Sequence, residues 1–533
     1  MIRARWATVA LYLVLAAIVI VVLGRRLGTE IFPKVEAAQI QLRLRAPTGT
    51  QITGTEALAL QALDLIKQEV GSQNVEITLG FIGVHAPSYP INLIYLWNGG
   101  PEEGVLQVQL KPGTPVRIED LKERLRRIFA EKMPGVAFSF EPSDIVSRVM
   151  SLGSPTPIEI VVSGQNLATD HAFAEQIKAR LQRIPSLRDL QFGQALDYPT
   201  VDVQVDREKA GVMGVKMADV SRALVTATAS SRFVVPNYWA DPNSGVAYQV
   251  QVQVPQARMD SLEEARNVPV ADQRGRSLLL RHVAKVTEST AVGQYERYNM
   301  QRVVTVTANI AGADLGRVGQ EVSQALQQLG QPPPGVAVTV RGQIVPLAQM
   351  LDGLRRGLLM AVVVIFLLLA ANFQSLKLSL VVVSTTPAAI AGVLLMLWLT
   401  GTTLNIQSFM GAIMAVGVAV ANAILLVTFA ERSRLGGASA AEAAVEGARS
   451  RLRPILMTST AMIAGMVPMA LGLGEGGQQT APLGRSVVGG LAAATLATLL
   501  VLPAVFALVQ NSAHRRSASL DPTDPDNSNP QTA

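Results

Sequence analysis

Six long apolar segments constrain this chain more than any other feature, because each is long enough to cross a lipid bilayer. The first covers residues 6–23 and is followed by a long, mostly polar segment. Five more cover residues 357–373, 378–400, 408–430, 454–473 and 487–509. A transmembrane helix needs about 20 mainly apolar residues. The sequence therefore predicts six membrane-spanning helices, one before a large insert and five after it.

The basic residues predict which side of the membrane each part of the chain occupies. Arg3 and Arg5 precede the first span, several arginines fall within 431–453, and Arg515 follows the last span. Cytoplasmic segments carry an excess of Lys and Arg, so we expect both termini in the cytoplasm and the insert in the periplasm. This distribution explains the net charge of +6 without a nucleic-acid partner.

The segments that flank the spans carry weaker signals. The first helix, within residues 1–26, is predicted to be retained, because no small-residue cleavage site follows it. The Ala-rich stretch 436–448 is predicted to be a helix, either along the membrane surface or as a plain connection. Residues 511–533, rich in Ser, Pro, Asp and Asn, are predicted to form a disordered cytoplasmic tail. The chain has no cysteine, which excludes disulfides and thiolate metal sites.

The polar insert repeats one pattern of strands and helices. Residues 39–142 are predicted to run strand, helix, strand, strand, helix, strand, and the pattern recurs over 155–198 and 298–343. A further segment, 199–297, interrupts the second copy. Each copy has the order of a ferredoxin-like βαββαβ unit. The predicted fold is therefore a multi-span α-helical membrane protein, with five helices over 354–510 and an α+β insert of two modules that enclose a cleft.

Several motifs resemble those of the resistance-nodulation-division (RND) transporters, specifically the hydrophobe/amphiphile multidrug efflux permeases of Gram-negative bacteria. They are LGTEIFP at 27–33, YPTVDVQVDREKAGVMG at 198–214, NAILLVT at 422–428, SRLRPILMTSTAMIAGMVPMALGLG at 450–474 and GGLAAATLATLLVLP at 489–503. A full subunit of that family has two tandem halves, each with one span, a porter insert and five spans. This chain resembles the second, C-terminal half.

The resemblance implies an architecture and a set of partners. The two modules would be porter modules, and 199–297 would be a docking insert for an outer-membrane channel. The family forms trimers with a periplasmic adaptor protein in the inner membrane, and its substrates leave through the porter cleft. The resemblance thus implies a transporter of amphiphilic drugs, not an enzyme, driven by a proton gradient and needing no cofactor.

The resemblance also implies where proton coupling would occur. In the family the first half supplies a pair of Asp on its fourth span, and the second half supplies a Lys immediately before an Asn. Asn422 matches that Asn, but Ala421 occupies the Lys position. None of the six predicted spans contains Asp, Glu, Lys, Arg or His, the residue types that mark proton pathways in membranes. We therefore expect an N-terminal-half RND subunit to supply the Asp pair.

Thr458 and Arg451 match other relay-associated positions of the second half. Each of these residues also has a structural interpretation. Asn422 could bond between helices, Thr458 could bond carbonyl groups of its own helix, and Arg451 could hold the helix at the inner membrane surface.

The substrate cleft is predicted to carry aromatic residues. Phe81, His85 and Tyr89 lie in or beside the loop 80–98, where the family has an aromatic loop that faces the drug. Aromatic side chains there would contact amphiphiles; ordinary packing of a porter strand is the alternative. Met462, Met466 and Met469 recur at helical spacing and are interpreted as packing residues, so no metal site is predicted.

Two other functions remain open. The chain could be a truncated or regulatory half without transport of its own. It could also be a six-span accessory protein of the RND superfamily, although such a protein would need its own charged or polar relay and the docking-like insert would be unexplained.

Overall fold

The computed structural model describes residues 4–33, 38–84, 98–273, 276–473 and 476–511. Within them, six helices are long and apolar enough to cross a membrane. They are α1 (Arg5–Arg26), α11 (Ile344–Phe373), the pair α12 (Leu376–Val383) and α13 (Thr386–Leu399), α14 (Ile406–Leu435), α15 (Ala440–Leu471) and α16 (Gly477–Leu500). A short helix, α17 (Leu502–Val509), follows α16. The end of α1 that leads into the insert defines the insert side of the membrane.

The third span is broken between α12 and α13. Pro387 lacks an N–H, and the break there is bridged by a side chain from α1. The Tyr12 hydroxyl donates to Ser384 O at 2.7 Å and accepts from Ala388 N at 3.1 Å. The hydroxyl therefore replaces a helical hydrogen bond and ties α1 to this span.

Two of the predicted spans have different bounds in the structure. The segment 436–448 is not a separate helix, because Ser439 and Glu442 form a capping box that starts α15 at Ala440, and the helix continues through Pro454. The last span begins at Gly477 rather than at residue 487, so α16 includes Arg485. The predicted span, residues 487–509, contains no charged residue, but the helix extends beyond it and includes this arginine.

Module 1 is a four-stranded antiparallel sheet with two helices on one face. The strands are β1 (Gln39–Arg45), β2 (Val75–Ile82), β3 (Glu103–Leu110) and β4 (Ala137–Glu141), in the order β2-β3-β1-β4, and the helices are α2 (Ile52–Val70) and α3 (Ile118–Lys132). Successive side chains of β1 point to opposite faces of the sheet. Ile40, Leu42 and Leu44 are buried against the helices, so Arg43 and Arg45 point to the opposite face.

Module 2 follows the short helix α4 (Ile145–Met150) and repeats the plan. Its strands are β5 (Ile158–Ser163), β6 (Leu187–Phe192), β14 (Gln301–Ile310) and β15 (Ala337–Gly342), with β13 (Arg297–Tyr298) beside one end of β14. The helices α5 (Leu167–Leu181) and α10 (Leu315–Gln328) cover one face through Ile177, Leu181, Val318 and Val322. Strand β15 leads directly into α11, so module 2 is continuous with the second span.

The segment between β6 and β13 has a small core of its own. Its elements are β7 (Tyr198–Val205), α6 (Arg207–Val212), α7 (Met217–Thr228), β8 (Asn237–Ala240), β9 (Ala247–Val250), α8 (Leu262–Arg266), β10 (Pro269–Gln273), β11 (Arg276–Leu279), α9 (Leu280–Val283) and β12 (Ala284–Ala291). Strands β7 and β12 pair antiparallel at its base. The β8–β9 hairpin extends from this core with Tyr238, Trp239 and Tyr248 exposed.

Candidate functional site

A polar network joins three helices inside the membrane region. Asn422 on α14 is buried, and its Nδ2 donates to Ser459 Oγ on α15 at 3.3 Å. Thr495 Oγ1 on α16 donates to the same Ser459 Oγ at 2.8 Å. Thr458 Oγ1 donates to Asn422 Oδ1 at 3.4 Å and also bonds Pro454 O, one turn earlier in its own helix, at 3.1 Å. The structure thus brings together Asn422 and Thr458, two of the predicted relay residues.

The polar network contains only amide and hydroxyl groups in the part of the chain that the structure describes. Such groups exchange hydrogen bonds, but they do not change charge near neutral pH. Ala421 lies next to Asn422 on an exposed face of α14. A methyl group added to Gly417, one turn away on the same face, would meet nothing within 4 Å. The network therefore lies beside an open face of α14. Ala421, which matches the Lys position of the family, puts no titratable side chain on this face.

Arg451 lies apart from the polar network. Its guanidinium group stacks on the Phe429 ring, 3.7 Å from the centroid, where α14 and α15 cross. Seven residues separate Arg451 from Thr458 along α15, which is about 10 Å in a helix. Arg451 of α15 therefore packs on Phe429 of α14 and does not contact Asn422.

Arg485 is the charged residue that the sequence interpretation missed. Its Nε donates to Ala470 O at 2.9 Å and its Nη1 donates to Thr402 Oγ1 at 2.6 Å. A cation at the C-terminal end of a helix is stabilised by the carbonyl groups there. Arg485 therefore closes the insert-side end of α15 and is not part of the polar network. The signal was present in the sequence, since Leu483 and Val487 flank Arg485 within a helical pattern.

The second candidate site is the cleft between the two modules. Their sheets meet where edge strand β4 lies beside edge strand β6, and the faces turned away from the helices enclose a cavity of about 370 Å³. Most of the polar side chains that line the cavity come from alternate positions of the strands, and Glu296 comes from the segment before β13. The main ones are Arg43, Arg45, Ser139, Glu141, Glu159, Gln191, Glu296, Thr305, Thr307 and Arg341.

Ion pairs order most charged groups of the cleft. Arg43 Nε lies 2.7 Å from Glu141 Oε1, and Arg45 Nε lies 2.6 Å from Glu103 Oε1. Arg45 also donates to Phe192 O and Gly193 O, which belong to module 2, at 2.9 and 2.7 Å. These bonds hold one end of the module boundary.

Two carboxyl groups of the cleft, those of Glu159 and Glu296, have a raised pKa. Glu159 is nearly buried and lies 3.4 Å from Arg341; burial raises its pKa, and the neighbouring Glu296 raises that pKa further. Burial also raises the pKa of Glu296, although its Oε2 accepts from Thr305 Oγ1 at 3.2 Å. Arg341 beside Glu159, and Arg43 and Arg45 near Glu296, partly offset these upward shifts of pKa.

Asp189 holds the other end of the module boundary. Its carboxylate accepts two hydrogen bonds of 2.7 Å from Arg126 and one of 3.0 Å from Phe140 N, all from module 1. Asn309 of module 2 donates to it at 2.9 Å. Asp189 also has a left-handed backbone, with φ of 53°. The bonds of Arg45 and Asp189 thus fix the line along which the modules meet.

The predicted aromatic residues do not line the described part of the cleft. Phe81 pairs with Val105 at the far edge of the sheet in module 1, on β2, and is half-buried. His85 and Tyr89 lie outside the described residues. The aromatic side chains that do line the cavity are Phe192, Tyr295 and Tyr298. Among the described residues, no group of three or more His, Cys, Asp or Glu is placed to hold a metal ion.

Comparison with known proteins gives three kinds of match. Residues 1–510 match the AcrB/AcrD/AcrF family. The cation efflux system protein CzcA of Alcaligenes sp. and the cobalt-zinc-cadmium resistance protein CzcA of Cupriavidus metallidurans are each 27% identical over 535 residues, which is 98% of this chain and 48% of theirs. A crystal structure of a heavy metal efflux pump superposes with a TM-score of 0.82 at 25% identity, over 95% of this chain and 51% of that chain. The chain spans about half the length of these relatives.

Proposed function

Because the chain belongs to the AcrB/AcrD/AcrF family, we propose that it is the C-terminal-half unit of an RND efflux permease of the bacterial inner membrane. The predicted second-half motifs, such as LGTEIFP at 27–33 and NAILLVT at 422–428, support this assignment. Both termini would lie in the cytoplasm and the two modules in the periplasm.

In this proposal the energy for export comes from carboxylates of an N-terminal-half unit. The observation that carries it is the polar network around Asn422, which lacks a titratable group among the described residues and borders an exposed face at Ala421. One proton crossing 100 mV supplies about 2.3 kcal/mol, but only a group that gains and loses charge captures this energy. A partner helix with an Asp pair would fit against the face of Gly417 and Ala421, because small residues allow close helix contact.

The proposed cargo is a small cation, with divalent metal ions as the leading class. This replaces the amphiphilic drugs expected from the motifs. The relatives named above are cation and heavy-metal exporters, and the cleft offers the under-compensated carboxylates Glu159 and Glu296. Carboxylate oxygens are among the ligands that bind zinc in proteins. With only these two carboxyl groups offered, the ion would keep part of its water shell and pass through rather than be held tightly.

Export of amphiphiles is the second candidate function. A separate cavity of about 450 Å³ lies where module 1, module 2 and the insert-side ends of α1 and α16 come together. Its lining combines apolar side chains, such as Phe32 and Met150, with polar ones, such as Arg117 and Gln479. A pocket that joins an apolar and a polar wall at the membrane boundary suits an amphiphile.

Assembly with further subunits is part of the proposal. The exposed Tyr238, Trp239 and Tyr248 of the β8–β9 hairpin form an apolar tip of a kind found at protein interfaces. We assign this tip to contacts within a trimer. The surrounding docking insert would engage a periplasmic adaptor protein and an outer-membrane channel.

The test measures tolerance to metals and to a cationic dye in a Gram-negative host that lacks its own exporters for both. Cells would carry this chain together with an N-terminal-half unit of the family. We expect higher tolerance to zinc, cobalt or cadmium, and lower cell-associated metal. The double variant Glu159→Gln, Glu296→Gln should lose this protection, whereas Glu288→Gln, on an exposed strand of the docking insert, should keep it.

Protection against the dye alone would overturn the metal assignment in favour of the second candidate. If both units are present in the membrane and neither compound is exported, export itself is overturned. The chain would then be better explained as a regulatory or inactive half. Export by this chain without the other unit would instead favour a self-sufficient six-span protein.

A further inference from the structure

We propose that residues 28–31 form a mechanical link that passes displacements of α14 to module 2. These four residues, Gly-Thr-Glu-Ile, follow α1 and are called the link segment below. The inference rests on the proposed transport function, because it names the part that would connect the membrane region to the cleft. It is carried by contacts that the segment makes on both sides at once.

On the membrane side, the link segment is bonded to the start of α14. Glu30 N donates to Leu404 O at 3.0 Å, and Leu404 N donates to Gly28 O at 2.8 Å. Ile406 N, at the first residue of α14, donates to Ile31 O at 3.3 Å. Between these positions, Asn405 caps α14 by accepting from Ser408 N. Any movement of the insert-side end of α14 therefore either carries the link segment with it or breaks these backbone hydrogen bonds.

On the other side, the link segment is bonded to the start of α10 in module 2. Thr29 N donates to Asp314 Oδ1 at 2.9 Å, and Gly316 N donates to Thr29 O at 3.0 Å. The same Asp314 oxygen accepts from Arg317 N at 3.0 Å, which caps α10. One carboxylate thus serves both the helix and the link segment.

The fit between the link segment and α10 leaves no room for side chains. A Cβ on Gly28 would lie 2.7 Å from Asp314 Cγ, and a Cβ on Gly316 would collide with Thr29 Oγ1. Both contacts are with side chains of the junction itself, so a Cβ at either glycine would displace Asp314 or Thr29. By contrast, a Cβ on Gly24, one turn earlier in α1, would meet nothing within 4 Å.

An apolar cluster surrounds the same junction. Ile31 of the link segment packs with Leu315 of α10, Phe409 of α14, and Leu347 and Leu351 of α11, and all five side chains are buried. Close-packed side chains transmit displacement because there is no free volume to absorb it. Helix α14 carries Asn422, and α10 covers the sheet of module 2. The link segment therefore joins the predicted proton-coupling helix to one wall of the cleft, in addition to the covalent connection through α11.

The experiment measures amide hydrogen exchange of the full chain in lipid nanodiscs. Asp314→Ala removes the acceptor on the module 2 side, and the amide of Leu404, on the membrane side, is then observed. If the link segment moves as one body, we expect Leu404 to exchange about tenfold faster, together with Gly316. Gly28→Ala should produce the same joint change through its clash with Asp314.

Three control variants accompany this measurement. Asp206→Ala removes a comparable helix cap, which accepts from Lys209 N in the docking insert, and it should leave Leu404 unchanged. Gly24→Ala should also have no effect. Asp314→Asn keeps an oxygen acceptor and should restore slow exchange at Leu404, even if the alanine variant folds poorly.

Faster exchange at Gly316 with unchanged Leu404, in both Asp314→Ala and Gly28→Ala, would overturn the link. A change of Leu404 that also appears in Asp206→Ala would overturn it as well, because the effect would be general loosening. The measurement needs no cargo, proton gradient or second half. Its result is therefore independent of whether the chain exports a cation.

Discussion

Asn422 is buried and bonded, whereas its neighbour Ala421 is exposed on the same helix. The contrast assigns different roles to the two positions. The Asn422 amide joins α14 to α15 through Ser459 and Thr458, which is the interhelical bonding that the sequence left as one of two interpretations. Ala421 leaves a small, open patch where the family has a cation. In the proposed function, a charge at this place comes from an N-terminal-half unit.

Glu159 and Glu296 give the cleft a predictable dependence on pH. Burial raises the pKa of both groups above their ordinary value of 4.5. The folded chain therefore binds these protons more tightly than the unfolded chain does, so their contribution to stability is greatest at low pH and is lost as the pH rises through the raised pKa values.

We therefore predict that Glu159→Gln and Glu296→Gln flatten the fall in melting temperature as the pH rises above about 4.5. Thermal unfolding in detergent across this range measures the effect. Glu288→Gln, at an exposed position, serves as control and should keep the original slope. A slope that is unchanged in both cleft variants would contradict the assigned cause.

At the scale of the elements, glycine residues set how closely the membrane helices pack. Gly392 of α13 and Gly489 of α16 face each other, and a Cβ on either would collide with the opposite helix. Small residues at such contacts let helix backbones approach closely. The α13–α16 contact therefore depends on these positions more than on any hydrogen bond between the two helices in the described region.

Gly392→Val should destabilise the chain by about 1–3 kcal/mol, the usual cost of overpacking. Gly417→Ala, a substitution into open space, should change stability little. Reversible unfolding in mixed detergent measures both values. Equal stability of the Gly392→Val variant and the original chain would show that the contact relaxes at no cost.

The elements also show how far sequence reasoning reached. Strand β1 has the predicted bounds, 39–45, because strict alternation marks both its face and its ends. The apolar run predicts a span from Pro454 and a separate helix over 436–448, whereas α15 is one helix that starts at Ala440 after the capping box of Ser439 and Glu442. The apolar run that predicts the last span begins at residue 487, but α16 starts at Gly477.

The cleft was harder to predict than the strands that build it. Alternation along β1 already implied that Arg43 and Arg45 share a face. The bonds of Arg45 to Phe192 O and of Asp189 to Arg126 join segments far apart in the chain, and no local pattern encodes such pairings. In the described residues the cavity is lined by charged side chains together with Phe192, Tyr295 and Tyr298, whereas the expected His85 and Tyr89 lie outside the described residues. The same limit applies to the link segment, whose partners Leu404 and Asp314 are distant in sequence.

At the scale of the whole molecule, two connections join the membrane region to module 2 within the described residues. Helix α11 continues β15 through Gln343, and the link segment ties the start of α14 to α10. Module 2 forms one wall of the charged cleft, so both connections lead to it. The described residues around Asn422 offer no group that responds to a proton gradient. The central claim is that coupling requires the carboxylates of an N-terminal-half unit.

The most direct test uses proteoliposomes with an imposed pH gradient and a zinc-sensitive dye on the receiving side. Three preparations are compared: this chain alone, the chain with an N-terminal-half unit, and the same pair with the Asp pair of that unit changed to Asn. We predict gradient-dependent zinc transport only in the second preparation, abolished by an uncoupler. Gradient-dependent transport by this chain alone would contradict the account.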